Sequence, residues 1–449
     1  MARPAPTRAG GPALSLRRET GGVRFKRRSG QPAVAYPFPG EPMKPVEVKK
    51  GVYWVGALDW DIRDFHGYSI YKGTTYNAYL VIDDKVTLFD TVKKGFESDL
   101  LHRIRNIIDP KRIDYLVVNH VEMDHSGGLL EVARQIEPEK VFCSPMGHKN
   151  LLAHFHAPDL PYEVVKSGDT LKLGSRTVHF LETRMLHWPD SMFSYIPEDK
   201  LLISSDAFGM HWATSERFDD QVDQAELMAH AAKYYANILL LYSPLVQKLL
   251  AQVKQMNLDI DTIAPDHGLI WRGDPMKIVG AYDRWSRQEA CAKALVVYDT
   301  MWHSTEQMAK AIYDGILDEG VCVQLKNLAA THRSDIMTEL LDAKALVLGS
   351  STLNNNMLPR MADLLTYIKG LKPTGKIGAA FGSYGWSGEA VKNISDELAA
   401  MKVELLDPGI RHQFVPDHEA LKKCRELGSR LGRAINEAGC KLPGYGCSR

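Results

Sequence analysis

Between residues 46 and 264 short apolar runs alternate with polar turns. TYNAYLVID (75–83), KVTLFDT (85–91), DYLVVN (114–119), TVHFLE (177–182) and KLLISS (200–205) are rich in Val, Ile and Leu. Runs of this length and composition predict buried strands, with helical patterns between them. From Lys293 the rhythm changes to repeated strand–loop–helix units. ALVVYD (294–299) precedes a helix expected over 305–318, with Met308, Ile312 and Ile316 on one face and Gly320 as its stop. VCVQLKNL, ALVLGS (345–350), KIGAAFG (376–382) and VELLD (403–407) are the later strands, and an amphipathic helix is expected over about 418–437. Five such units in succession argue for an open parallel sheet covered on both faces. The boundary between the halves falls near DRWSRQEAC, giving parts at 43–289 and 290–449.

Residues 1–42 stand apart, with eight Arg or Lys against two Glu and no apolar stretch after the Arg pairs. Met43 opens the strand-like alternation, so 1–42 is read as a flexible extension or misassigned leader rather than a secretory signal. Lys plus Arg and Asp plus Glu both number 55, which gives no basic surplus for nucleic acid. No run approaches the length of a membrane span. The six cysteines include no CxxC pair, which argues against zinc ribbons and common iron–sulfur patterns and favours free thiols in a reducing cytoplasm.

The densest chemistry is NHVEMDHSGG (119–128), directly after a buried strand. In an extended loop His120, Glu122 and Asp124 point the same way, and Gly127 and Gly128 allow a tight turn into the next helix. His125, His187, Asp206 and His267 are further ligand types, the last three also following strand-like runs. Four imidazoles and three carboxylates suit two cations sharing one carboxylate, and an N/O-rich set with open positions favours iron over zinc.

The set HxExDH, then 61 residues to His187, 18 to Asp206 and 60 to His267, resembles the metallo-β-lactamase-like domain of flavodiiron proteins. Hydrolase relatives carry His where Glu122 stands. The resemblance implies an αββα sandwich in which His120, Glu122 and His187 hold one iron. Asp124, His125 and His267 would hold the other, with Asp206 bridging. It also places His66 in the metal pocket as a non-ligand, and suggests Tyr235 as a pocket phenol, with Tyr234 an equally good local candidate. The other histidines, including His211 and His230, read as ordinary helical or polar positions.

The second half has neither GxGxxG nor a P-loop. TMWHST (300–305) instead leads a strand into a helix N-terminus, a natural anion site. GSSTLNNNM (349–357) and GSYGWSG (382–388) add amides, hydroxyls and the rings of Tyr384 and Trp386 at further strand ends, where doubly wound sheets bind ligands. These loops resemble the FMN-binding loops of flavodiiron proteins, and the half as a whole resembles flavodoxin. By that resemblance Thr300, Trp302, His303, Ser304 and Thr305 cradle the phosphate side of FMN. Ser351, Thr352, Leu353, Asn354 and Asn355, with Ser383, Tyr384, Gly385 and Trp386, surround the ribityl chain and ring system.

The resemblance implies a cytoplasmic oxidoreductase with FMN and two non-haem irons, fed by an external donor protein such as rubredoxin. Its substrate would be O2, reduced to water, or NO, reduced to N2O. The implied assembly is a head-to-tail homodimer or a dimer of dimers. The tail is read as too short for a further donor domain. The alternative is a zinc hydrolase of the metallo-β-lactamase type carrying a flavin-binding module, against which Glu122 argues.

Overall fold

The computed structural model describes residues 44–439. Two sheets face each other in the first half. One has seven strands running from Val46–Lys49 to Tyr162–Val164 in space, and the other has five, from Thr170–Lys172 to Thr262–Ala264. Their inner faces share one apolar layer, in which Tyr79, Val81, Phe89 and Val117 of the first meet Val178, Phe180, Leu201 and Ile203 of the second. Helices Glu97–Arg105 and Leu129–Ile136 bury Leu100, Ile104, Leu129 and Val132 against the outer face of the seven-stranded sheet. The central strands Tyr79–Val81, Thr87–Phe89 and Tyr115–Val118 are therefore apolar on both sides, which explains why their sequences read as runs rather than alternations.

The third sheet is parallel. Its order is Cys322–Asn327, Cys291–Asp299, Ala343–Ser350, Ile377–Tyr384 and Glu404–Leu405, with Ile410–Gln413 also beside Ile377–Tyr384. The order reverses between Cys291–Asp299 and Ala343–Ser350, so the crevice of a doubly wound sheet opens where the TMWHST and GSSTLNNNM loops begin. Helices Ser304–Asp318 and His418–Glu437 lie where the apolar periodicity puts them.

Three expectations change. The 75–83 run is two strands, Thr74–Tyr76 and Tyr79–Val81. Between them Asn77 is buried, accepting from Trp54 Nε1 at 2.7 Å and donating to Pro265 O at 2.7 Å. The 403–407 run is cut to Glu404–Leu405, and pairing resumes after Gly409, whose φ of 111° suits glycine. Cys322 is disulfide-bonded, whereas Cys143 and Cys424 are buried free thiols. Cysteine spacing carried no signal of this, because the fold decides which sulfurs meet.

The two halves share a continuous core. Tyr234, Tyr235, Leu239, Trp285, Ile336, Leu340, Leu364 and Ile368 belong to one buried cluster. Among the described residues no helix is long and apolar enough to cross a membrane.

Candidate metal centre and flavin loops

Strand Tyr115–Val118 ends in a loop clamped by Asp90. Its Oδ1 accepts from Asn119 N and its Oδ2 from Asn119 Nδ2, each at 2.7 Å. Ser194 of the opposite sheet donates to Asn119 Oδ1 at 2.8 Å. Both sheets thus fix the start of the NHVEMDHSGG loop. His120 and Glu122 then converge, as alternation requires. Asp124 does not join them, because Met123–Ser126 forms a helical turn that swings Asp124 and His125 to a second position. A Cβ on Gly127 would stand 2.3 Å from Met123 O and 2.9 Å from Lys94 N, so close approach demands glycine there.

Two donor sets result. His120 Nε2 lies 3.2 Å from Glu122 Oε2 and 3.3 Å from Asp206 Oδ2, and His187 Nε2 lies 3.0 and 2.9 Å from the same two oxygens. In the second set Asp206 presents its other oxygen. Oδ1 is 3.2 Å from His125 Nε2 and 3.5 Å from His267 Nε2, while Asp124 Oδ2 is 3.5 and 3.0 Å from those nitrogens. A cation about 2.1 Å from each donor separates neighbouring donors by about 3.0–3.4 Å. Both sets fit that spacing. Asp124 Oδ1 and Oδ2, His125 Nε2 and Asp206 Oδ1 are buried without a hydrogen-bond partner, which is the condition of ligands aimed at a cation.

The charges agree. Burial opposes ionisation of every member, yet mutual attraction prevails. Asp124 and Asp206 are held below the usual carboxylate range by the facing imidazoles, and Glu122 by its hydrogen bonds to His120 and His187. Burial pulls the imidazoles down, but the carboxylates push His125 up to about 10 and His187 up to about 9.

Outer partners orient the ligands. Asp190, buried, accepts from His120 Nδ1 at 3.0 Å and Val121 N at 2.7 Å. Thr75 O lies 2.6 Å from His267 Nδ1, whereas Asp266 Oδ2 stands 3.9 Å from His125 Nδ1 with no hydrogen bond between them. Sequence reasoning missed Asp190, although it lies three residues after a ligand histidine.

His66 reaches the donor sets through Glu122, its Nε2 2.5 Å from Glu122 Oε1. That hydrogen bond is the main reason its imidazole is more basic than usual, burial working against it. Tyr235 is elsewhere. Its hydroxyl is 3.0 Å from Ser243 Oγ, and its ring packs on Tyr282 and Trp285. Tyr234 instead stands with its ring 5.2 Å from that of His211 and 6.2 Å from that of His267. His211, read from sequence as ordinary, is buried, its ring 4.5 Å from that of His267.

In the second half three strand-end loops bring hydroxyls together. Thr305 Oγ1 is 3.0 Å from both Ser351 Oγ and Ser383 Oγ, and all three residues are buried. Helix Ser304–Asp318 begins after His303 with no side chain capping its amides, which leaves them for an anion. Ser304 is buried beside them, and the hydroxyl of Thr300 is buried without a partner. His303 turns away and pairs with Glu306 Oε2 at 2.6 Å. Asn354 and Asn355 both have positive φ, between the short antiparallel strands Thr352–Leu353 and Asn356–Met357. Trp302 and Trp386 are 86% and 87% exposed, with Tyr384 and Gly385 alongside Trp386. Uncapped amides, an orphaned hydroxyl and two uncovered indoles fit a phosphate-bearing planar ligand.

Comparison with known proteins identifies both halves of the chain. Residues 74–268 match the ODP family beta lactamase and residues 296–428 match flavodoxin. The chain is 48% identical over 395 residues to a nitric oxide reductase from Moorella thermoacetica, covering 87% of this chain and 99% of that one. It is 45% identical over 396 residues to a rubredoxin-oxygen oxidoreductase from Megalodesulfovibrio gigas, covering 88% and 98%. Among solved structures, rubredoxin oxygen:oxidoreductase from Desulfovibrio gigas superposes with a TM-score of 0.86 at 45% identity, covering 88% of this chain and 99% of that one. The flavodiiron protein from Giardia intestinalis does so at 0.86 and 36% identity, covering 89% and 98%. With this coverage, identity and paired-site architecture, the chain belongs to the flavodiiron proteins.

Proposed function

We propose that the chain is an oxidoreductase that draws electrons from a small donor protein, rubredoxin, to reduce O2 to water or NO to N2O. The observation that carries this reading is Asp206, whose two oxygens serve two separate His/carboxylate sets, one of which includes Glu122. FMN bound at the strand-end loops of the second half would supply electron storage, and irons held by the two His/carboxylate sets would supply the redox chemistry of gas reduction. Residues 43–289 form the metal part in this reading and 290–449 the flavin part.

The residues divide the work. His120, Glu122 and His187 would hold one cation and Asp124, His125 and His267 the other, with one oxygen of Asp206 turned to each set. His66 orients Glu122 through a charge-assisted hydrogen bond and offers a proton at the pocket mouth. Tyr234, rather than Tyr235, supplies a phenol near the pocket. Thr300, Ser304, Thr305 and the helix amides bind the FMN phosphate. Trp302 flanks that phosphate side, from which His303 is turned toward Glu306, and Ser351, Thr352, Leu353, Asn354, Asn355, Ser383, Tyr384, Gly385 and Trp386 enclose the rest. The exposed indoles and the neighbouring Phe414 and Val415, 63% and 65% exposed, suit burial against a second copy in a head-to-tail homodimer or a dimer of dimers. A cytoplasmic location accords with an electron-carrier donor. The hydrolase alternative is not favoured, since Glu122 replaces a histidine and the relatives are oxidoreductases. The test is anaerobic turnover with excess reduced rubredoxin, comparing O2 and NO consumption. Consumption of neither gas by iron- and FMN-loaded protein would overturn the reading.

A further inference from the structure

Beside His267 lies a cavity of about 10 Å³, lined among others by Tyr68, Ser69, His211, His230, Lys233 and Tyr234. That is room for about one water. Two of its residues carry buried polar atoms with no partner among the described residues, Tyr68 Oη and His211 Nε2. A buried polar atom left unsatisfied is costly, so a bridging water is the expected occupant. On the inner side the ring of His211 lies 4.5 Å from that of His267.

On the outer side a file of polar groups reaches the surface. Lys233 Nζ donates to Ser69 Oγ at 2.8 Å and to Asp335 Oδ1 at 2.6 Å. Ser69 Oγ is also 2.9 Å from Ser334 Oγ, and Tyr71 donates its hydroxyl to Asp335. The Lys233 side chain is 13% exposed and that of Asp335 27%, so the file begins in water and ends inside. Asp335 belongs to helix Arg333–Leu340, and Lys233 to helix Gln224–Tyr234. The file therefore spans the junction of the two halves.

We propose that Asp335, Lys233, Ser69 and one water in this cavity form a proton route from solvent to the edge of the metal pocket. The inference rests on the proposed function, because both reactions consume protons: O2 + 4H⁺ + 4e⁻ gives 2H2O, and 2NO + 2H⁺ + 2e⁻ gives N2O + H2O. The donor protein supplies the electrons, and the route moves protons only. The Lys233 ammonium passes a proton to Ser69 Oγ as the Ser69 hydroxyl proton moves to the water, which gives one of its own inward, beside Tyr234, to the oxygen that becomes product water, and is left as water again. Solvent water at the partly exposed Asp335–Lys233 pair restores the ammonium with a proton. Burial lowers the basicity of Lys233, although Asp335 opposes it, and so favours release. His211 stays neutral and holds the water, so no step charges it.

The test uses iron- and FMN-loaded protein carrying Lys233→Met, Lys233→Arg or Ser69→Ala. Rubredoxin-driven flavin reduction should be unchanged, while gas turnover falls roughly tenfold or more. Arginine retains donors for Ser69 and Asp335 but does not release a proton, so Lys233→Arg should be as slow as Lys233→Met. Full rescue by arginine would assign Lys233 a structural role and overturn the route. High-resolution diffraction of the holoenzyme should find one ordered water on Tyr68 Oη or His211 Nε2, displaced or disordered in Ser69→Ala; a dry cavity overturns the route. If Lys233→Met loses iron or FMN, Ser69→Ala carries the test. Unchanged turnover in an active background refutes the route alone, with protons then arriving by the His66 mouth. A wild-type protein inert to both gases refutes the functional reading instead.

Discussion

Replacing Asp190 by Asn removes one negative charge from behind His120 and leaves the side chain's size almost unchanged. The native carboxylate accepts three hydrogen bonds, from His120 Nδ1 at 3.0 Å, Val121 N at 2.7 Å and Asn150 Nδ2 at 2.9 Å. An amide can keep the first two, but its NH2 then meets the NH2 of Asn150. Asn150 can flip to relieve that clash, which leaves the lost charge as the lasting effect. His120 would then be a poorer base toward its cation. Outer partners of this kind control metal affinity by about 10–100-fold, or about 1.4–2.7 kcal/mol. The assay is anaerobic competition for Fe²⁺ against a chelator of known affinity, with FMN content and melting temperature as folding controls. One of the two irons should weaken by at least tenfold while FMN stays bound. Equal affinity for both irons, within twofold of wild type, would refute the claim that Asp190 sets the strength of the His120 ligand.

Glu122→His moves the ligand set toward the hydrolase pattern, so iron should be lost or zinc gained, with loss of gas reduction; retained iron and turnover would contradict the assignment of Glu122. Metal binding should release protons, because His125 and His187 in the metal-free protein are pushed up to about 10 and 9 and must be neutral to ligate. Apparent affinity should therefore rise by about tenfold per pH unit for each proton displaced between pH 7 and 9, and pH-independent loading would refute this. Mixing a flavin-site variant (Ser304, Thr305 and Trp386 disrupted) with an iron-site variant (His120 and Asp206 replaced) should restore activity after subunit exchange. Mixed dimers that form but stay inactive would place electron transfer within one chain.

Much of the site was legible because its ligands sit at strand ends, where short apolar runs announce the loops that follow. The same logic exposed the flavin loops, since each follows a strand of the parallel sheet. Legibility failed where a local turn redirected the chain. Extension after Val118 predicts that Asp124 shares a side with His120, but the Met123–Ser126 turn gives it to the other donor set. A regular helix gave no way to choose between Tyr234 and Tyr235. A π-helical turn at Tyr235–Leu239 adds a residue to the turn and breaks the 3.6 periodicity just there. Asp190 and His211 were invisible for another reason: their partners, His120 and Thr74, lie 70 and 137 residues away, and only the fold brings them together.

The central claim is that Asp206 joins two iron sites in a chain that also carries flavin. Elemental and flavin analysis of protein purified anaerobically from iron-replete cells tests it most directly. Two irons and one FMN per chain are expected, falling to one iron or fewer in Asp206→Ala with FMN retained. Two zincs per chain, or full iron loading without Asp206, would contradict it.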